Sequence, residues 1–77
     1  MSPMIIVYSK PGCGQCMFTK KFLERNGIDY VEKDVQADEV ARQEVLDLGY
    51  QSLPVVVVNG TESFNGYQAD KLQAIVG

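Results

Sequence analysis

Two cysteines, Cys13 and Cys16, stand two residues apart and are the only ones in a chain of 77 residues. Thiols in this spacing can form a structural disulfide, bind a metal or act as a redox pair. A bridge between them closes too short a loop to restrain the unfolded chain strongly. A structural zinc site needs four ligands, and the chain has no histidine and no third cysteine, so two chains would have to share one metal.

Thiol–disulfide exchange fits the position of the pair best. The cysteines follow an apolar run and open an amphipathic segment, so free backbone N–H groups and the positive end of a helix would stabilise a thiolate at Cys13. Cys13 can then attack a substrate disulfide, and Cys16 can resolve the mixed disulfide. Lys10 would add a favourable positive charge nearby. An iron–sulfur cluster shared between two chains is the alternative, because Gly14 leaves the loop free of a side chain.

The elements that must position the cysteines can be read from the hydrophobic pattern. Residues 4–9 are rich in β-branched and aromatic residues and predict a buried strand, which Lys10-Pro11-Gly12 ends. A helix is predicted from about Gly14 to Asn26, with Gly27 as its stop. Its apolar positions are Met17, Phe18, Phe22 and Leu23.

The rest of the chain alternates strands and helices. Residues 28–35 predict a second strand, and a second helix runs from Asp38, its N-cap, to Gly49. The run "LPVVVVNG" predicts a third strand and a turn, "ESFNG" a fourth strand, and residues 70–76 a short helix. The order βαβαββα predicts one α/β domain over residues 1–77, with a four-stranded mixed sheet and helices on both faces.

Pro54 stands directly before the third predicted strand. A proline cannot donate a hydrogen bond into a sheet, and a cis bond after Leu53 would make a tight turn there. The alternative is a trans proline that only starts the strand.

The distribution of charge limits the partners. The net charge of -3 argues against a broad nucleic-acid surface. Positive charge nevertheless collects near the cysteines. Lys20, Lys21 and Arg25 fit a partner-binding surface and a merely solvated helix face equally well. No stretch approaches the ~20 apolar residues that span a bilayer, and the start of the chain has no basic segment typical of a signal peptide. We expect a cytoplasmic monomer without a membrane or nucleic-acid partner.

Together these features resemble the thioredoxin superfamily in its short, glutaredoxin-like form, and in particular the NrdH-redoxins. The resemblance covers essentially the whole chain. The segments that carry it are "VYSKPGCGQCMFTKKFLERNGIDY", "VLDLGYQSLPVVVVNG" and "SFNGYQADKL". Gln15, Thr19 and the block "LGYQSLPVVV" are the most specific matches.

The resemblance implies a role for each motif. Cys13 would be the nucleophile, Cys16 the resolving thiol, and Pro54 a cis-proline whose neighbouring backbone pairs with an extended substrate segment. The other substrate- or partner-binding residues would be Lys10, Gly12, Gly14, Gln15, Ser52, Leu53, Asn65, Gly66 and Tyr67. No cofactor would be bound. Electrons would come from NADPH through thioredoxin reductase, a flavoprotein, and pass to the class Ib ribonucleotide reductase.

The sequence departs from the NrdH pattern in two places. Gly14 stands where valine or methionine is usual, and residues 64–69 replace the Trp, Arg and Pro of a "WSGFRP"-like segment that is linked to reductase docking. Glutathione-dependent glutaredoxins are the rival. They typically have Pro-Tyr between the cysteines, Thr-Val before the cis-proline, and Gly-Gly before an acidic pair. Here these places read Gly-Gln, Ser-Leu and "NGYQAD", in which Asp70 alone remains as a glutathione contact.

Overall fold

The computed structural model describes residues 3–77; Met1 and Ser2, which the single-domain prediction included, lie outside the described residues. The predicted order βαβαββα and the four-stranded mixed sheet are confirmed. The elements are β1 Ile5–Ser9, α1 Gly14–Arg25, β2 Val31–Asp34, α2 Glu39–Asp47, β3 Val55–Val58, β4 Glu62–Asn65 and α3 Ala69–Val76. None of the helices in this part of the chain is long and apolar enough to span a membrane.

The sheet has the strand order β2-β1-β3-β4. β1 is parallel to β2 and antiparallel to β3, and β3 and β4 form an antiparallel hairpin. Tyr8 pairs with Val55, and Val55 pairs with Asn65. The end of β1, the beginning of β3 and the end of β4 therefore meet at the same end of the sheet.

The two central strands are covered by helices on both faces. On one face Val7 and Val56 pack with Leu23 of α1 and Leu72 of α3. On the other face Tyr8 and Val55 pack with side chains of α2, namely Ala41 and Val45. Because successive side chains of a strand point to opposite faces, burial on both sides requires an apolar residue at every position. This explains the uninterrupted run of valines in β3.

The apolar positions of α1 are not all deeply buried. Phe18 and Met17 are 62% and 53% exposed, whereas the buried residues are Cys16, Thr19 and Leu23. These three recur at helical spacing, so the helix places Cys16 inward and turns Phe18 outward. The buried hydroxyl of Thr19 donates to the carbonyl oxygen of Gln15 at 2.9 Å, which satisfies it within the helix.

The second strand begins later than the pattern indicates. Ile28 N–H donates to the carbonyl oxygen of Leu23, and Gly27 N–H to that of Glu24, at 2.9 and 3.1 Å. These bonds, with Gly27 at a φ of 68°, end α1 and occupy the start of the predicted strand. The chain therefore joins the sheet only at Val31, which lies on an edge strand and is 54% exposed.

The second helix begins as predicted and ends earlier. One carboxylate oxygen of Asp38 accepts the backbone N–H groups of Val40 and Ala41 at 3.0 and 3.2 Å, so the N-cap is confirmed. The helix ends at Asp47, because Gly49 has a φ of 89° and Leu48 is its C-cap.

Candidate active site

The two cysteines lie at the amino-terminal end of α1, where the strand-to-helix pattern placed them. Cys13 is the N-cap, and its Sγ accepts the backbone N–H of Cys16 at 3.2 Å. The sulfurs are joined as a disulfide, with the Cα atoms 5.2 Å apart. Cys13 is partly exposed, whereas Cys16 is only 1% exposed. The more accessible sulfur therefore accepts a backbone N–H of the first turn and lies at the positive end of the helix.

The segment before β3 lies against the same sulfur. The Leu53–Pro54 peptide bond is cis, as the resemblance to the NrdH-redoxins implies. The carbonyl oxygen of Leu53 lies 4.0 Å from Sγ of Cys13. Pro54 is fully buried, while Ser52 is exposed and Leu53 partly exposed. Two residues of the segment beside Sγ of Cys13, Ser52 and Leu53, are thus accessible to solvent.

The connection between β4 and α3 closes the third side of the site. Gly66 N–H donates to the carbonyl oxygen of Pro54 at 2.8 Å. Asn65 donates its side-chain N–H to Oγ of Ser52 at 2.6 Å. Tyr67 N–H donates to Oε1 of Gln15 at 3.1 Å, a bond between residues 52 positions apart. The segment from Asn65 to Tyr67 therefore ties the proline segment to the residue between the two cysteines.

Three predicted site residues lie on the chain that leads into α1. Lys10 is exposed and follows β1, and within residues 3–77 it forms no side-chain hydrogen bond or ion pair. Gly12 is exposed in the following turn with a φ of 78°, and Gly14 is the first residue of the helix. All three lie within three residues of Cys13 along the chain.

Two contributors to this surface are missing from the sequence prediction. The ring of Phe18 packs against the ring of Tyr67, with centroids 6.1 Å apart and planes inclined by 56°. Gln68 donates its side-chain N–H to the carbonyl oxygen of Asn65 at 2.7 Å, which fixes the end of β4. The pattern that could have identified Phe18 is its position opposite Cys16 on the helix.

Ionisable groups with shifted pKa values flank β1. Hydrogen bonds from Lys20 and from the buried hydroxyl of Ser9 lower the pKa of Glu32. On the other face, burial raises the pKa of Tyr8, and the carboxylate of Glu44 raises it further. Ser9 and Tyr8 are the last residues of β1, so these contacts hold the strand from which the cysteine loop departs.

The residues between 3 and 77 contain no group of three Cys, His, Asp or Glu side chains arranged to hold a metal ion. What the site does offer is a pair of vicinal thiols at a helix N-terminus on a four-stranded mixed sheet. That combination defines a thiol–disulfide oxidoreductase with a thioredoxin-like fold.

Comparison with known proteins identifies the family. The glutaredoxin family profile matches residues 5–62, and the chain belongs to the glutaredoxin family. A glutaredoxin-like 8.6 kDa protein from the rubredoxin operon of Clostridium pasteurianum is 39% identical over 72 residues, which cover 90% of this chain and 96% of that protein.

Solved structures agree with this assignment. The crystal structure of the thioredoxin-like protein BC3987 has a TM-score of 0.86 and 42% identity, and the match covers 92% of this chain and 97% of that one. The NrdH-redoxin of Escherichia coli has a TM-score of 0.86 and 30% identity, covering 92% of both chains. The chain is therefore an NrdH-like redoxin in fold and sequence.

Proposed function

We propose that the protein is a cytoplasmic electron carrier that reduces protein disulfides. It takes electrons from NADPH through thioredoxin reductase and delivers them to the class Ib ribonucleotide reductase. The similarity to the Escherichia coli NrdH-redoxin, a glutaredoxin-like protein described by its thioredoxin-like activity profile, supports this assignment. No bound cofactor takes part, because the two thiols carry both electrons.

The observation that carries the proposal is the unequal environment of the two sulfurs. Cys13 is partly exposed and receives the N–H of Cys16 at 3.2 Å, whereas Cys16 is 1% exposed. An N–H donor and a helix N-terminus stabilise a negative charge on Cys13, and access allows this sulfur to reach a substrate. Cys13 is therefore the nucleophile, and Cys16 attacks only from within the protein.

The reaction follows in two exchanges. The thiolate of Cys13 attacks one sulfur of a substrate disulfide, which forms a mixed disulfide and releases the other substrate sulfur as a thiolate. Cys16 loses its proton and attacks Sγ of Cys13. This step forms the Cys13–Cys16 disulfide and releases the second substrate thiolate, which takes up a proton. Two electrons have passed to the substrate, and the reductase restores both thiols.

The backbone beside Cys13 is the proposed substrate contact. The carbonyl oxygen of Leu53 lies 4.0 Å from Sγ of Cys13, so an extended substrate segment held there would place its own sulfur next to the nucleophile. Ser52 and the residues Asn65 to Tyr67 form the rim on one side, where the carbonyl oxygen of the buried Pro54 accepts the N–H of Gly66. Lys10, Gly12, Gly14 and Gln15 form it on the side of the helix.

The cysteine roles are tested with single substitutions. Cys16→Ser leaves an attacking thiol without a resolving one, so it should accumulate a mixed disulfide with an oxidised substrate protein on a non-reducing gel. Cys13→Ser should form no such adduct. An adduct that formed with Cys13→Ser and was absent with Cys16→Ser would reverse the order of attack.

The electron donor is tested by running two couples on the same substrates, insulin and a class Ib ribonucleotide reductase. NADPH with thioredoxin reductase from the same cell should recycle the protein much faster than millimolar glutathione with glutathione reductase. If glutathione were the efficient donor and thioredoxin reductase were inert, the protein would function as a glutathione-dependent glutaredoxin.

A further inference from the structure

An aromatic and basic cleft lies on the outer face of α1, and neither cysteine nor any residue of the proline segment lines it. It has a volume of about 170 Å³ and is lined by Phe18, Lys21, Phe22, Arg25 and Tyr67. Drug-sized ligands occupy roughly 300–1,000 Å³, so this cleft suits a single side chain of a larger partner.

The apolar part of the cleft is exposed without an evident structural need. Phe18 is 62% exposed and Tyr67 is 39% exposed, although an inward Phe18 would add to a small core. The bond from Tyr67 N–H to Gln15 fixes the backbone at Tyr67, and its ring meets that of Phe18 at 6.1 Å. The two rings form an apolar wall of defined position that is largely exposed to water in the free protein.

The basic side chains of the cleft form no ion pairs within residues 3–77. Lys20 and Lys33 form ion pairs with Glu32 and Glu44, whereas no acidic side chain between residues 3 and 77 pairs with Lys21 or Arg25. These two cations lie one helical turn apart on one face of α1. They remain available to a carboxylate although the whole chain carries a net charge of -3.

We infer that this cleft docks an acidic segment of a protein disulfide substrate, with an apolar side chain on the Phe18–Tyr67 wall and carboxylates at Lys21 and Arg25. The inference rests on the proposed function and names the substrate class it prefers. A helix rises about 1.5 Å per residue, so Lys21 and Arg25 lie about 12 and 18 Å beyond Cys13 along α1. An extended substrate covers about 3.3 Å per residue, which places its carboxylates about four and about six residues from its disulfide.

The experiment uses pre-reduced protein and synthetic peptides in single turnovers. Every peptide carries the same Cys-x-x-Cys disulfide, a leucine two residues from it and test positions four and six residues from it, on either the amino or the carboxyl side. In an extended peptide these three side chains lie on one face. The test positions are glutamate in one set and glutamine in the matched set. The measured quantity is the ratio of second-order rate constants, glutamate over glutamine.

Exposed ion pairs are individually weak, so two of them should give the unmodified protein a ratio of about five at low salt. We expect this ratio for only one of the two peptide polarities. It should fall towards one in about 0.5 M NaCl, where screening is strong. Lys21→Glu/Arg25→Glu should bring it below one. Lys71→Glu, an exposed lysine on α3, is the matched control and should leave the ratio unchanged.

The apolar wall is tested by replacing the leucine of the glutamate peptide with glycine, which should slow its reduction about threefold, as expected for losing part of a buried side chain. A ratio of one for the unmodified protein, or one that the double charge reversal leaves unchanged, would overturn the inference while leaving the proposed function intact. A salt-sensitive dimer abolished by the same reversal would assign the cleft to a second copy and also overturn it. If the reduced protein reduced neither peptide, the proposed function itself would fail.

Discussion

Substitution of Gly66 tests whether its left-handed backbone, rather than contact with the side chain of Gln15, makes glycine favourable at this position of the rim. Its φ is 80°, and a Cβ built there would lie 3.5 Å from Oε1 of Gln15, an ordinary van der Waals distance. Gly66→Ala therefore introduces strain of about 1–2 kcal/mol from the left-handed backbone, without a clash. The restricted unfolded chain of the alanine variant offsets about 0.4–1 kcal/mol of this. The expected loss is about 1 kcal/mol of unfolding free energy.

Urea unfolding measures this loss directly. With a slope of about 1 kcal/mol per molar, the midpoint should fall by about 1 M. Gly14→Ala is the matched control: Gly14 lies in helix α1 with open space around it, so this change should be neutral or slightly stabilising. Adding Gln15→Ala to Gly66→Ala should give additive effects. If removing Gln15 rescued Gly66→Ala, steric contact would be the cause and the backbone argument would be refuted.

Two further predictions concern the elements behind the site. Asp38→Ala removes the acceptor for the first N–H groups of α2 and should cost about 1 kcal/mol in urea unfolding, whereas Asp38→Asn should cost much less; equal losses would show that the cap bonds contribute nothing. The lowered pKa of Glu32 stabilises the fold above its unfolded value of 4.5, and this contribution is lost as pH falls through the lower folded value. Glu32→Gln and Lys20→Met should both flatten the loss of thermal stability below pH 4.5, and an unchanged acid profile in both would contradict the assignment.

Most of the fold could be predicted because its signals are local. The valine run, the Asp38 cap and the glycine after α1 each specify an element through neighbouring residues. The predicted start of the second strand was wrong. Residues 28–30 have the alternation of a strand, but the bonds that end α1 occupy the backbone at Ile28, so the pairing with β1 starts at Val31.

The cysteines could be located from the residue pattern and the cis bond at Pro54 from the family resemblance, whereas the contacts around them could not be predicted. The helical pattern grouped Phe18 with Phe22 and Leu23 as apolar positions and did not distinguish the buried from the exposed ones. Once Cys16 is placed inward, the helical repeat buries Thr19 and Leu23, and Phe18 must face outward. The bond between Gln15 and Tyr67 joins residues 52 positions apart, and no local pattern encodes it.

That long-range bond also bears on the replaced Trp, Arg and Pro in residues 64–69. The segment is held by its own backbone: Gly66 N–H binds the carbonyl oxygen of Pro54, and Tyr67 N–H binds Gln15. Backbone N–H groups do not depend on the identity of neighbouring side chains. The replacements can therefore leave the position of the rim unchanged while altering what it presents, which is a tyrosine ring packed on Phe18. The departures therefore change the surface that the rim presents, while the backbone bonds at Gly66 and Tyr67 that position it do not require the replaced side chains.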